Sequence, residues 1–246
     1  MPTRKPLSRE AIKLLAMAAM ACNHAAQALL PAGTPAREAL VDIGYFTAVT
    51  MCYFLVEGYR YTRSRRRYAL RLALCGVVSQ PVYWLALGVD QANMMFTLFF
   101  CFLLLWALDR LQGHRLRLPV VAALVLVTAW CDWPILAAGF TLLFALCGQL
   151  GRGWTALCFA MAAVLFFAFN YSNYSYAGWA AGPAALHAGL SCLGILAAGA
   201  VILLGYSGRR SAFALAHPAL AKYGFYLFYP GHLAVIAALR VLLPGT

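Results

Sequence analysis

Long apolar runs alternate with short polar ones along the whole chain. Nine such runs stand out, at residues 9–30, 40–59, 69–88, 93–109, 118–131, 134–150, 154–170, 183–206 and 221–242. A helix needs roughly 20 mainly apolar residues to cross the hydrocarbon core of a bilayer. A backbone in lipid must satisfy its own polar groups, and a helix does so within one segment. The pattern therefore predicts an all-α, polytopic membrane helical bundle of about nine transmembrane helices, in a single integral membrane domain over residues 1–246. The fifth and sixth runs are short. Two arrangements suit them: a tilted pair, or a re-entrant element around Asp132-Trp133-Pro134. Pro134 fits at the start of a helix, where its missing N–H costs nothing.

Composition leaves little room for a soluble reading. The chain is 64% hydrophobic and 11% charged, with a mean hydropathy of +0.77. An ordinary soluble domain is about a quarter charged. The few charges are also one-sided. Apart from Arg37 and Arg240, the 19 Lys and Arg residues lie in the N-terminal segment, in or beside alternate loops, or, for Lys13, within the first run. By the positive-inside rule this places the N-terminus in the cytosol and the C-terminus outside. It also accounts for the formal net charge of +12 without nucleic acid. Asn23, His24 and Gln27 interrupt the first run, which predicts a retained span rather than a cleaved signal. Eight scattered cysteines form no CxxC pair and read as small packing residues, not as a metal site or a disulfide framework.

Polar side chains within such runs are costly and usually face a bundle interior or a cavity. His24, beside Asn23, is the first candidate. A neutral imidazole can take a proton from an attacking amine or hydroxyl near pH 7, although a histidine hydrogen-bonded between helices fits the same pattern. Lys13 lies about three turns earlier on roughly the same face, placed to hold an anionic cofactor or to snorkel to headgroups. Glu57 precedes Arg60 by three residues, and such a pair at a helix end predicts a positioned arginine. Arg63 and Arg66 follow it, and fixed guanidinium forks suit phosphate. The last run carries Tyr229-Pro230-Gly231-His232, which predicts a broken helix lining a cavity, with a packing kink as the plain alternative. Gln80, Asn93 and Asp132 are further candidates for holding an acceptor; Asp132 can instead cap the next helix. Residues Asn170–Trp179 read as an uncharged aromatic outer loop, either an interfacial belt or the mouth of a site. GxSxG, P-loop, HExxH and GxGxxG motifs are all missing from the sequence.

Several of these residues carry a family resemblance. Asn23-His24, the segment Phe54-Leu55-Val56-Glu57-Gly58-Tyr59-Arg60-Tyr61-Thr62-Arg63, Ser79-Gln80-Pro81, Asn93 with Phe96-Thr97-Leu98, and Phe225-Tyr226-Leu227-Phe228-Tyr229-Pro230-Gly231-His232 together resemble the TraX family, in the same order over nearly the whole chain. That family is named for a conjugation-plasmid inner-membrane protein that N-acetylates pilin. The resemblance implies a bacterial inner membrane location, acetyl-CoA or another acyl-CoA as donor, and no metal. The chain is also distantly similar to membrane acyltransferase-3 proteins, which carry a basic residue, ten residues and then a histidine in the first span. Lys13 and His24 match that spacing, with Lys where Arg is usual. Carried over, His24 is the base, with Asn23 beside it and His232 a second candidate, and Arg60 and Arg63 face the CoA phosphates.

The expectation is a membrane acyltransferase that moves an acyl group from cytosolic acyl-CoA to an amine or hydroxyl, on an acceptor such as a pilin N-terminus or an envelope glycan. The competing readings are a small-molecule or lipid transporter and a structural membrane subunit. Expected partners are membrane lipids, acyl-CoA and an acceptor protein or glycan, with no nucleic acid.

Overall fold

The computed structural model describes residues 6–148 and 150–242. Arg4 and Lys5, counted above on the basic side, lie outside the described residues, as does Gln149 in the sixth run. The described chain is all-helical: α1 (Arg9–Leu29), α2 (Pro35–Tyr61), α3 (Arg65–Leu87), α4 (Met94–Arg110), α5 (Arg117–Val127), α6 (Leu136–Leu146), α7 (Arg152–Tyr176), α8 (Ala181–Ala200), the short α9 (Ala212–Ala216) and α10 (Pro218–Leu242). Each expected run falls on a helix. Five are long and apolar enough to cross a membrane: α2, α3, α7, α8 with its π-helical extension to Gly205, and α10. The outer surface is apolar, with Leu74, Val78, Val164, Leu193 and Leu204 all exposed. An apolar face this broad needs an apolar surrounding.

Helix α2 is the centre of the bundle. It packs against α1, α4, α6 and α8, and its Val49, Cys52, Leu55 and Val56 are buried. Two glycines allow the closest approaches. A Cβ at Gly44 would overlap the Asn23 side chain of α1. A Cβ at Gly194 of α8 would lie 2.6 Å from the Asp42 carbonyl oxygen of α2. Small residues at such seams let backbones meet where side chains would hold them apart. On the other flank, α10 packs against α3 and α1.

Three boundaries differ from the sequence expectation. Helix α7 runs on to Tyr176, so Asn170–Tyr176 are helical turns and not an outer loop; the Asn170 Nδ2–H donates to the Phe166 carbonyl at 2.9 Å. Pro134 does not start a helix. It lies between Trp133 and Ile135, both at positive φ, and α6 begins at Leu136. The segment before it is pinned by Ala92, whose N–H donates to Trp130 and whose carbonyl accepts from Asp132. Helix α10 is continuous through Pro230 rather than broken. Proline removes the N–H that would bond Tyr226, and the Cys75 thiol of α3 donates to that carbonyl at 3.5 Å.

Two expected acceptor-site residues are committed to the α3–α4 connection. Asn93 caps α4 by accepting from the Met95 N–H at 2.9 Å, and its amide donates to the Gly76 carbonyl and the Gln80 Oε1, each at 2.8 Å. Gln80 Oε1 also accepts from the Asn93 N–H, while its Nε2 donates to the Gln91 carbonyl at 2.9 Å. Asn93 is fully buried. Every polar atom of the two amides is used, so both hold the turn together.

Two outcomes test this packing. Gly194→Ala is expected to lower thermal stability in detergent by about 1–3 kcal/mol through overpacking. Gly189→Ala, in the same helix with open space around it, is expected to be neutral or to stabilise by up to about 1 kcal/mol. Equal melting shifts for the pair would remove the close α2–α8 seam. Asn93→Ala is expected to cost about 2–4 kcal/mol, since it deletes a cap and leaves buried partners unpaired; a melting point within a degree of wild type would contradict that.

A histidine pair at one end of the bundle and an arginine pocket at the other

The fold brings together His24 and His232, which are 208 residues apart, with His24 Nδ1 2.9 Å from His232 Nε2. The rings are stacked at 5.1 Å between centroids. Their proton arrangement follows from one carbonyl. His232 Nδ1 lies 2.9 Å from the Phe228 carbonyl oxygen, one turn back on α10. A carbonyl only accepts, so His232 Nδ1 carries the proton. In a neutral ring Nε2 then holds a lone pair, and it must accept from His24 Nδ1–H. His24 is left with a bare Nε2, which has no hydrogen-bond partner among the described residues.

His24 lines a cavity of about 460 Å³ together with Asn23, Tyr83, Asp132, Glu38 and Asn170. Its ring is only 5% exposed, with Tyr83 and Tyr229 edge-on at 6.4 and 6.5 Å. Asn23 does not meet the imidazole by any recorded hydrogen bond. Its Nδ2–H donates to the Val41 carbonyl of α2 at 2.8 Å, and its Oδ1 accepts from Gln27 one turn later. It sets the seat of α1 on α2 and thereby the direction of His24. Tyr229 is fully buried and its hydroxyl accepts from the Met94 N–H at 3.2 Å; it braces α4 against α10. Asp132 lines the same cavity.

The basic side assembles differently from the sequence expectation. Glu57 does not hold Arg60. It pairs with Arg9 at 2.5 Å and accepts from the Tyr206 hydroxyl at 2.8 and 3.0 Å. Arg60 is exposed and lines a second cavity of about 660 Å³ with Arg9, Arg152, Arg209, Arg210 and Tyr206. Arg63 and Arg66 are exposed and do not line it. Lys13 is partly buried, with its ammonium 5.8 Å from the Phe54 ring centre. It lies between the two cavities and lines neither. Arg9 and His24 are 15 residues apart on α1, a rise of about 22 Å, so the cavities occupy opposite ends of the bundle.

Sequence reasoning missed Tyr83 and Glu38 at the first cavity, where Asn170 of the expected belt or site mouth also lies, and Arg9, Arg152, Arg209 and Arg210 at the second. The signal for the arginines was present in the one-sided charge pattern, but it did not say which of them converge.

A family model described as TraX protein matches residues 8–240. A curated relative, the probable fimbrial assembly protein FimC, serogroup H1, of Dichelobacter nodosus, is 30% identical over 251 residues, covering 94% of this chain and 95% of its own. No solved structure matches. With a family match over nearly its whole length and a full-length relative beside it, the chain belongs to the TraX family.

Proposed function

We propose that the chain is a membrane-embedded acyltransferase, most simply an acetyltransferase, that moves an acyl group from acyl-CoA to an amine or hydroxyl acceptor. The fimbrial relative supports a pilin-linked acceptor, with a pilin N-terminus or an envelope glycan as candidates. In this reading the protein sits in the bacterial inner membrane with about nine spans, the N-terminus in the cytosol and the C-terminus in the periplasm. The arginine cavity then faces the cytosolic donor, and the His24 cavity opens toward the periplasmic end.

The observation that carries the reading is the bare His24 Nε2 at a polar cavity, with the tautomer set through His232 by the Phe228 carbonyl. A base must present a lone pair toward the proton it takes. As the acceptor's nitrogen or oxygen attacks the thioester carbonyl, His24 Nε2 takes its proton. The resulting imidazolium donates from Nδ1 to His232 Nε2, which shares the charge. Collapse of the tetrahedral intermediate expels the CoA thiolate, and His24 returns the proton to that sulfur. Acyl acceptor and free CoA thiol are the products, and the pair is restored. The 22 Å or so between Arg9 and His24 is bridged by the long arm of the donor or by an acyl relay.

His24→Ala is expected to lower acyl transfer by about 10²–10⁴-fold, the range for loss of a general base, with the melting temperature close to wild type. Turnover of acetyl-CoA unchanged in a folded His24→Ala protein would sink the assignment. His232→Ala is expected to lower the rate less, by about 10–100-fold, because the base survives but its tautomer is no longer fixed. A His232→Ala rate equal to wild type would show that the second ring only packs. Acceptor flux without release of CoA thiol would place the chain among transporters instead.

A further inference from the structure

The second cavity is more specific than a basic loop. Five arginines line it, from four separate segments: Arg9 at the start of α1, Arg60 at the end of α2, Arg152 at the start of α7, and Arg209 and Arg210 after the π-helical turn. Two of these charges are spent internally. Arg9 pairs with Glu57, and Arg210 lies 3.7 Å from Glu10. Arg60, Arg152 and Arg209 have no acidic partner among the described residues.

The walls are also built to hold shape. The Leu7 N–H donates to the Gly205 carbonyl at 3.0 Å, and the Ser207 N–H returns to the Leu7 carbonyl at 2.9 Å. Arg9 N–H donates to the Arg209 carbonyl at 3.1 Å, and Glu10 accepts from the Ser211 N–H at 2.7 Å. The segment before α1 and the first turn of α1 are thus zipped to residues 205–211. Tyr206, which ends the π-helical turn, is locked by Glu57. Like charges gathered in one pocket repel one another, and a bound anion relieves that repulsion.

We propose that this cavity is a binding site for a ligand carrying two or more phosphate groups, held chiefly by Arg60, Arg152 and Arg209, with the Tyr61 ring as a stacking surface for an attached base. Three unpaired guanidinium groups exceed what a single lipid phosphate neutralises, and guanidinium forks match phosphate oxygens. Tyr61 lines the cavity and is 76% exposed. On the acyltransferase reading, on which this assignment of the ligand rests, the occupant is the nucleotide end of the acyl-CoA donor. Arg9 and Arg210, already paired, act as positioning residues for the walls, and the neighbouring Arg63 and Arg66 contribute only to the general field.

The test is calorimetric binding of coenzyme A, adenosine 3′,5′-diphosphate and inorganic phosphate to the full chain in phosphatidylcholine nanodiscs. Wild type is expected to bind the first two far more tightly than inorganic phosphate, with affinity falling as salt rises. Arg152→Ala and Arg209→Ala are each expected to weaken coenzyme A binding about 10–100-fold. Arg209→Lys is expected to recover part of the loss, because it keeps the charge and loses the fork. Arg115→Ala, an exposed arginine outside the cavity, serves as the control with wild-type affinity. Melting temperatures separate lost binding from lost folding. Wild-type affinity in a folded Arg152→Ala/Arg209→Ala double variant would overturn the assignment. So would retention of phosphatidylglycerol by wild type, lost in the double variant, together with no coenzyme A binding, which would make the occupant a lipid headgroup. If coenzyme A binding depends on these arginines but wild type transfers no acyl group, the pocket stands and the transferase reading falls. If acyl transfer persists in the double variant, the pocket assignment falls and the transferase reading stands.

Discussion

The approach of α1 to α2 at Gly44 governs the arrangement of everything near His24. With hydrogen at position 44, the Asn23 side chain settles against the α2 backbone and donates to the Val41 carbonyl. An amide in an apolar interior is costly unless paired, so this bond fixes both the depth and the rotation of α1. The next residue, His24, then meets His232 of α10. Thr47 adds a second tie from α2, donating to the Ala16 carbonyl at 2.7 Å two turns earlier on α1. The histidine pair is a consequence of this seam rather than a separate feature.

The same constraint operates at the far end with charges in place of amides. Glu57 sits among arginines and chooses Arg9 and Tyr206, because together they satisfy both carboxylate oxygens. That choice ties α1 to α2 and to the turn after α8, and leaves Arg60 facing the cavity. One rigid helix therefore carries a partnered charge at its start and an imidazole near its end, with the apolar stretch through Ile12, Ala16 and Met20 buried between them.

The helices were legible because apolar runs of membrane length leave few alternatives, and the runs at α1, α3, α4 and α10 differ from the observed limits by only a few residues. Polar residues inside those runs were legible as unusual, but not as to purpose. His24 and Asp132 face a cavity; Gln80 and Asn93 satisfy each other and the adjoining backbone. Both outcomes answer the same penalty on unpaired polar groups, and only the tertiary arrangement distinguishes them. The Glu57–Arg60 expectation failed for a related reason. Spacing along one helix registers neighbours three residues apart and is blind to Tyr206, 149 residues away. Residues Asn170–Tyr176 read as loop because they are polar and aromatic, yet they continue α7 with one side on the cavity, where Asn170 and Tyr174 need not be apolar.

The Phe228 carbonyl gives the histidine pair a property beyond its tautomer. A proton entering at His24 can pass no further than His232, since the next atom is an oxygen that accepts a hydrogen bond but holds no proton to pass on. The pair is a closed end and not a wire. An ionisable couple within an apolar bundle risks becoming a conduit that short-circuits an electrochemical gradient. In this one the hydrogen-bonded path from the His24 cavity ends at the Phe228 carbonyl.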